Sequence, residues 1–166
     1  MGLFWTRKSD QEDIDDNTAN PWAEYLVKGN LNDTQPHYNV VAAVVVRDGK
    51  YLCVRRRDTK YPYTSHKWEF PGGKIEHGEE PQQALSREML EELDYPVEVG
   101  NHIVGVEYPY PDFRISLKVY FCAPTTDAEP VLKEHAELCW LEESQLKSLD
   151  WCAADTIVVQ AIVDNY

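Results

Sequence analysis

From Tyr38 the chain enters a β-branched run, YNVVAAVVVRD, reaches the favoured turn dipeptide Asp48–Gly49, and returns through KYLCVRRR; residues 38–57 therefore predict a β-hairpin. A polar loop follows, and KWEF, residues 67–70, reads as a short extended piece running into Pro71–Gly72–Gly73. The period then changes. Ala84, Leu85, Met89 and Leu93 recur at helical spacing, Pro81 suits the first turn of a helix, and Asp94–Tyr95–Pro96 stops it. Residues 97–124 predict two strands around the turn YPYPD, AELCWL (136–141) predicts another, and AADTIVVQAIVDNY (153–166) closes the chain as an amphipathic helix starting near Ala154–Asp155. Residues 1–36 are polar and turn-rich, with aromatic islands at Phe4–Trp5 and Trp22–Tyr25. They read as an N-terminal extension, 1–36, that is flexible or packs on the domain or on a second subunit, ahead of a domain spanning 37–166. Mixed strands with two helices give an α+β plan.

Composition narrows the picture. A chain of 166 residues with 43% hydrophobic and 11% aromatic content is long enough for one compact domain. The opening residues turn acidic without the apolar core of a secretory signal, and no later apolar run could span a bilayer, so a soluble, cytoplasmic protein with no membrane partner is expected. Cys53, Cys122, Cys139 and Cys152 lie far apart with no C-x-x-C pair, which fits a reduced compartment. His66, His77, His102 and His135 have no spacing that implies zinc, and read as surface or loop histidines. The formal net charge of −13 argues against binding a nucleic-acid polymer. It also means that a polyphosphate substrate would be repelled unless divalent cations bridge it to the protein.

That condition meets the most acidic part of the predicted helix. At ~100° per residue, Glu88, Glu91 and Glu92 occupy one sector bordering the apolar stripe, at the edge of the buried face. Their mutual repulsion there is relieved by protonation, cationic partners or metal ions. Read from Gly73, the chain runs Gly, five residues, Glu79, seven residues, Arg87–Glu88–Met89, one residue, Glu91–Glu92, one residue, Asp94 and Tyr95. This closely resembles the Nudix box, G-x5-E-x7-R-E-U-x-E-E-x-G-U with U a bulky apolar residue. The resemblance implies an α/β/α sandwich on a mixed β-sheet, and a loop–helix–loop that holds Mg²⁺ or Mn²⁺ against a diphosphate. It further implies that Glu88 and Glu92 bind the main ion with the Gly73 carbonyl, and that Glu91 binds a second ion or orients the attacking water. An acidic residue from outside the box commonly joins them; Glu134 in LKEHAELCW is preferred and Glu137 is its rival. Arg87 would pair with box glutamates and fix the loop on the helix, Glu79 would be metal-related or structural, and Lys74 and Arg56 match phosphate-contacting positions. Asp94 departs from the pattern, standing where the box has its last glycine; a left-handed backbone is usual there, and Asp is among the residues that tolerate it.

The combination of VRRR, WEFPGGKIEHGE, YPD and a late AAD is similar to the MutT branch of the family, especially its CTP pyrophosphohydrolase and 8-oxo-dGTP diphosphatase types. That likeness implies a nucleotide substrate, a nucleoside triphosphate cleaved to monophosphate and pyrophosphate, with clearance of modified nucleotides as the purpose. Asp155 would read the base edge or cap the last helix, and Phe70 would line the base pocket or belong to the core. Arg114 stands one place later than the branch's usual arginine, so cytidine nucleotides are at least as well favoured as guanine ones. Two other readings stay open: hydrolysis of ADP-ribose or a dinucleoside polyphosphate on the same fold, and a non-catalytic lesion-reading module, which would lack the box glutamates. A monomer or a homodimer is equally compatible.

Overall fold

The computed structural model describes residues 35–166; the reading of the chain before Gln35 as an extension lies outside the described residues. β1 (His37–Arg47) is the central strand, and its apolar run is continuous because both of its faces are covered. Val40, Ala42 and Val44 feed one core cluster, while Val41, Ala43 and Val45 feed the other. Asp48 and Gly49, with φ of 50° and 74°, make the tight turn, and β2 (Lys50–Arg55) returns antiparallel. β3 (Trp68–Glu69) pairs with β2, and β4 (Gly72–Lys74) runs antiparallel to β1 opposite Val40–Ala42.

After helix α1 (Pro81–Leu93), β5 (Val97–Pro109) and β6 (Arg114–Pro124) form a long antiparallel pair. β6 also lies parallel to β1, and β7 (Glu137–Leu141) adds antiparallel to β2, so the sheet is mixed, with the order β3-β2-β1-β6-β5. α1 covers one face with Ala84, Leu85, Met89 and Leu93; α2 (Ala153–Asn165) covers the other with Ala154, Val158, Val159 and Ile162. The result is the α/β/α sandwich expected. No helix among the described residues is long and apolar enough to cross a membrane.

Two features escape the hydrophobic pattern. A 3-10 helix spans Glu143–Ser148 and buries only Leu146, too little apolar surface to leave a periodic signal. The backbone of β3 is stitched to the approach of α2: the Trp68 amide donates to the Asp150 carbonyl at 2.9 Å, and the Cys152 amide to the Trp68 carbonyl at 2.8 Å. At the end of α1, Asp94 adopts the left-handed conformation (φ 47°, ψ 40°), its amide donates to Leu90 O at 3.1 Å, and the Tyr95 amide to Met89 O at 3.3 Å. The aspartate thus takes up the left-handed state in which glycine is usual at a helix end.

Candidate active site

The loop–helix unit is held by one side chain. Arg87 has five N–H donors in a rigid fork, and the structure engages all of them. Nε donates to Glu79 Oε2 at 2.8 Å and Nη2 to Glu79 Oε1 at 2.9 Å; Nη2 also reaches the Lys74 carbonyl at 2.9 Å. Nη1 donates to Glu88 Oε1 at 2.8 Å and to Glu91 Oε2 at 3.2 Å. Glu79 accepts in addition from the Glu76 amide at 3.0 Å, which closes the loop before α1. Arg87 holds the Glu79 carboxyl below its ordinary range, and Glu79 in turn raises the guanidinium pKa. Of the two roles open for Glu79, this geometry supports the structural one.

Glu88 and Glu92 project from α1 toward the sheet and are buried, 2% and 3% exposed. β4 passes directly beneath: a Cβ added at Gly73 would come within 2.6 Å of Glu88 Oε2, so any larger residue there would displace the carboxylate from this position. Burial lifts the Glu88 carboxyl to about 7, opposed by Arg87 and reinforced by the charges of Glu91 and Glu134. Burial also lifts Glu92 well above its ordinary value, and the charges of Glu69, Glu88 and Glu134 add to it. The charge of Glu134 thus acts on both carboxylates, whereas Glu137 pairs with Arg55 at the surface. Glu91 is half-exposed at the rim, reached from the cluster only through Arg87.

A second buried group continues from Glu92 toward α2. Glu69 Oε1 lies 3.5 Å from Arg56 Nη1 and 3.3 Å from His135 Nε2, and the same imidazole nitrogen is 4.0 Å from Glu92 Oε2. His135 lies in a loop, as read, but is 7% exposed, which corrects its placement at the surface: its Nε2 faces neighbouring acids rather than solvent. Asp155 lies inside the first turn of α2, where Cys152 is the capping residue; its Oδ1 accepts from the Phe70 amide at 3.0 Å. Its carboxyl is lifted well above the ordinary range by burial and then by the charge of Glu69. Asp155 is thus not the N-cap residue itself, although its carboxylate also accepts from its own amide in the first turn.

A protein-family model described as NUDIX domain matches residues 36–161 of this chain. The chain belongs to the Nudix family. Among relatives, the CTP pyrophosphohydrolase of Escherichia coli is 32% identical over 127 residues, covering 75% of this chain and 90% of that protein. The 8-oxo-dGTP diphosphatase of Buchnera aphidicola is 34% identical over 107 residues, 64% of this chain and 86% of that one. The solution structure of the E. coli ORF135 protein superposes with a TM-score of 0.67 at 27% identity, covering 80% of this chain and 93% of the other.

The Nudix box is thus the segment that brings Gly73, Glu79, Arg87, Glu88, Glu91 and Glu92 together, with Glu134 delivered by the loop before β7. Glu88 Oε2, Glu134 Oε2 and Glu69 Oε2 are buried oxygens without a hydrogen-bond partner among the described residues. Carboxylate oxygens are hard donors, which suit Mg²⁺ or Mn²⁺ and not a soft metal. Among the described residues, no three acidic, imidazole or thiol groups already converge on one point; Arg87 occupies one oxygen of Glu88 and one of Glu91.

The remaining Nudix candidates sit further out. Arg56 is buried against Glu69, and the Lys74 ammonium lies 4.3 Å from the centre of the Tyr38 ring. Phe70 is fully buried and stacked on Trp151 with ring centroids 4.7 Å apart, the placement of a core aromatic. Sequence reading missed Glu69 and His135 as members of the site. For Glu69 the signal was present, a carboxylate between two bulky aromatics on an extended piece, where alternation sets it apart from both. His135 sits in a loop with no periodicity to expose it. Also missed was an aromatic group, Tyr61, Tyr63, Tyr110 and Phe113, that packs between Tyr38, beneath Lys74, and the start of α2, where Tyr110 Oη accepts from the Ala154 amide at 3.1 Å.

Proposed function

We propose that this Nudix protein is a divalent-metal-dependent nucleoside triphosphate pyrophosphohydrolase, releasing a nucleoside monophosphate and pyrophosphate, with cytidine or oxidised purine nucleotides as its substrates. The observation that carries the reading is the buried acidic group: Glu88 packs against Gly73, Glu92 is buried four residues on, the charge of Glu134 acts on both, and Glu88 and Glu134 each keep a buried oxygen without a hydrogen-bond partner among the described residues, in a protein whose net charge of −13 would otherwise repel a triphosphate. A Mg²⁺ ion held there by Glu88, Glu92, Glu134 and the Gly73 carbonyl would neutralise phosphate charge and acidify a water. The protein's own contribution is positioning. Arg87 fixes the orientation of Glu88 and presents Glu91 at the rim, where a carboxylate can orient a water or join a second ion. Arg56 and Lys74 supply positive charge toward the phosphates. Asp155, anchored through one oxygen to the Phe70 amide, is assigned to the base edge.

The names of the relatives support a triphosphate over ADP-ribose or a dinucleoside polyphosphate. The test is a panel of hydrolysis rates with Mg²⁺ across CTP, dCTP, 5-methyl-dCTP, 8-oxo-dGTP, the ordinary nucleoside triphosphates, ADP-ribose and a dinucleoside tetraphosphate, with pyrophosphate scored separately from phosphate. Highest kcat/KM on a triphosphate, with pyrophosphate as product, supports the proposal. Faster turnover of ADP-ribose or the dinucleotide overturns it.

A further inference from the structure

Cys53 and Cys139 are far apart in sequence, yet β2 and β7 place them in register as direct partners across an antiparallel pair. Directly opposed residues in such a pair have Cα atoms ~4.5–5.5 Å apart. That spacing falls within the ~4.4–6.8 Å that a disulfide spans. Both side chains lie on the face covered by α2. Cys53 is fully buried and its thiol donates to the Tyr51 carbonyl at 3.6 Å; Cys139 is half-buried. Cys139 is the more accessible of the two, and interaction between the sulfurs pushes Cys53 up and Cys139 down, so Cys139 is the thiol that reacts first. Cys122 has no such arrangement, being opposite Val45 and Val99 in its own ladder.

We propose that Cys53 and Cys139 form a peroxide-oxidisable pair, in which Cys139 attacks and Cys53 resolves to close a disulfide between β2 and β7. The Cys139 thiolate breaks the O–O bond of hydrogen peroxide, forming a sulfenic acid and releasing hydroxide, which takes up the thiol proton as water. Cys53 then attacks that sulfur, the S–S bond forms, and its thiol proton leaves on the S–OH oxygen as a second water. Two thiols and one peroxide give one disulfide and two waters; sulfur is oxidised and peroxide oxygen reduced.

The bridge acts on the strand end that carries the site. Just beyond Cys53, the Arg55 carbonyl accepts from the Ala136 amide at 2.8 Å, and Arg57 Nε donates to the Glu134 carbonyl at 3.0 Å. A disulfide here ties β2 covalently to the strand that follows Glu134 and His135. The inference is independent of which nucleotide the enzyme takes.

The test starts from fully reduced, folded, full-length protein exposed to hydrogen peroxide, quenched by thiol alkylation and mapped by peptide mass spectrometry. A linked Cys53–Cys139 peptide lighter by two hydrogens, reversed by dithiothreitol, supports the pair. Cys122 and Cys152 are expected to remain alkylatable after unfolding, and Cys139→Ser to leave Cys53 reduced under the same treatment. Oxidation of Cys139 to sulfinic acid without linkage, a bridge to any other cysteine, or no oxidation while the protein stays folded overturns it.

Discussion

Arg87 shows how one side chain sets the geometry of several carboxylates. Its planar fork meets Glu79 through two parallel bonds, Glu88 and Glu91 through one nitrogen, and the Lys74 carbonyl through another. An ammonium cannot reproduce that pattern. Arg87→Lys is expected to stay folded, since the side chain is partly exposed, and to lower kcat by about 10–100-fold, the usual cost of losing a group that orients metal ligands; steady-state kinetics and circular dichroism on one preparation check this. A second residue gives a pH signature unrelated to the carboxylates. His37 is lowered from 6.5 to about 4 by burial and then by the charge of Arg114, while its Nε2 lies 2.7 Å from Ser116 Oγ. The unfolded chain takes up this proton near 6.5 and the folded one resists it until about 4, so stability falls as pH drops through that window. Melting temperatures from pH 7 to pH 4 should fall more steeply for the wild type than for His37→Gln, which lacks the titrating group; parallel slopes would contradict the assignment. Residues of this kind were the least legible in sequence. The spacing of Glu88, Glu91 and Glu92 exposed them, whereas the burial of His135 between Glu69 and Glu92 arises from contacts between distant segments.

The elements were more legible because their signals are local. The dipeptide Asp48–Gly49 fixed the hairpin, and apolar spacing fixed α1. β4 was not predicted as a strand, since Gly72–Gly73 lacks β propensity; what places it is close approach, β1 on one side and Glu88 on the other. Gly73→Ala should therefore push the Glu88 carboxylate aside and remove most activity. Gly49→Ala, where a new Cβ meets nothing but φ is 74°, should cost ~1 kcal/mol of stability with kcat unchanged. Comparing kcat and urea midpoints of the two variants separates a site effect from a backbone effect. At the other end of the unit, Asp94 holds a left-handed turn with a non-glycine residue. Asp94→Gly is expected to raise stability by about 0.5 kcal/mol and Asp94→Ala to lower it by about as much, with activity retained in both. Loss of activity in Asp94→Gly would mean that the helix end matters to the site in a way its hydrogen bonds do not explain.

At the scale of the molecule, the sandwich converts a sequence-wide excess of negative charge into one local demand for cations. Segments far apart in the chain meet there: β4 and α1 from the box, Glu69 from β3, and Glu134 and His135 from the loop before β7. Burial raises the cost of ionising Glu88 and Glu92, a cost that the divalent cation of the proposed function would offset by binding only the folded state. The most direct measurement of the central claim is pyrophosphate release from CTP and 8-oxo-dGTP against Mg²⁺ concentration, for the wild type and Glu92→Gln side by side. The account predicts release that is absent under chelation, saturates with Mg²⁺ in the wild type, and needs much more Mg²⁺ or vanishes in the folded variant. Pyrophosphate release that persists under chelation, or a Glu92→Gln variant with the Mg²⁺ dependence of the wild type, would contradict it.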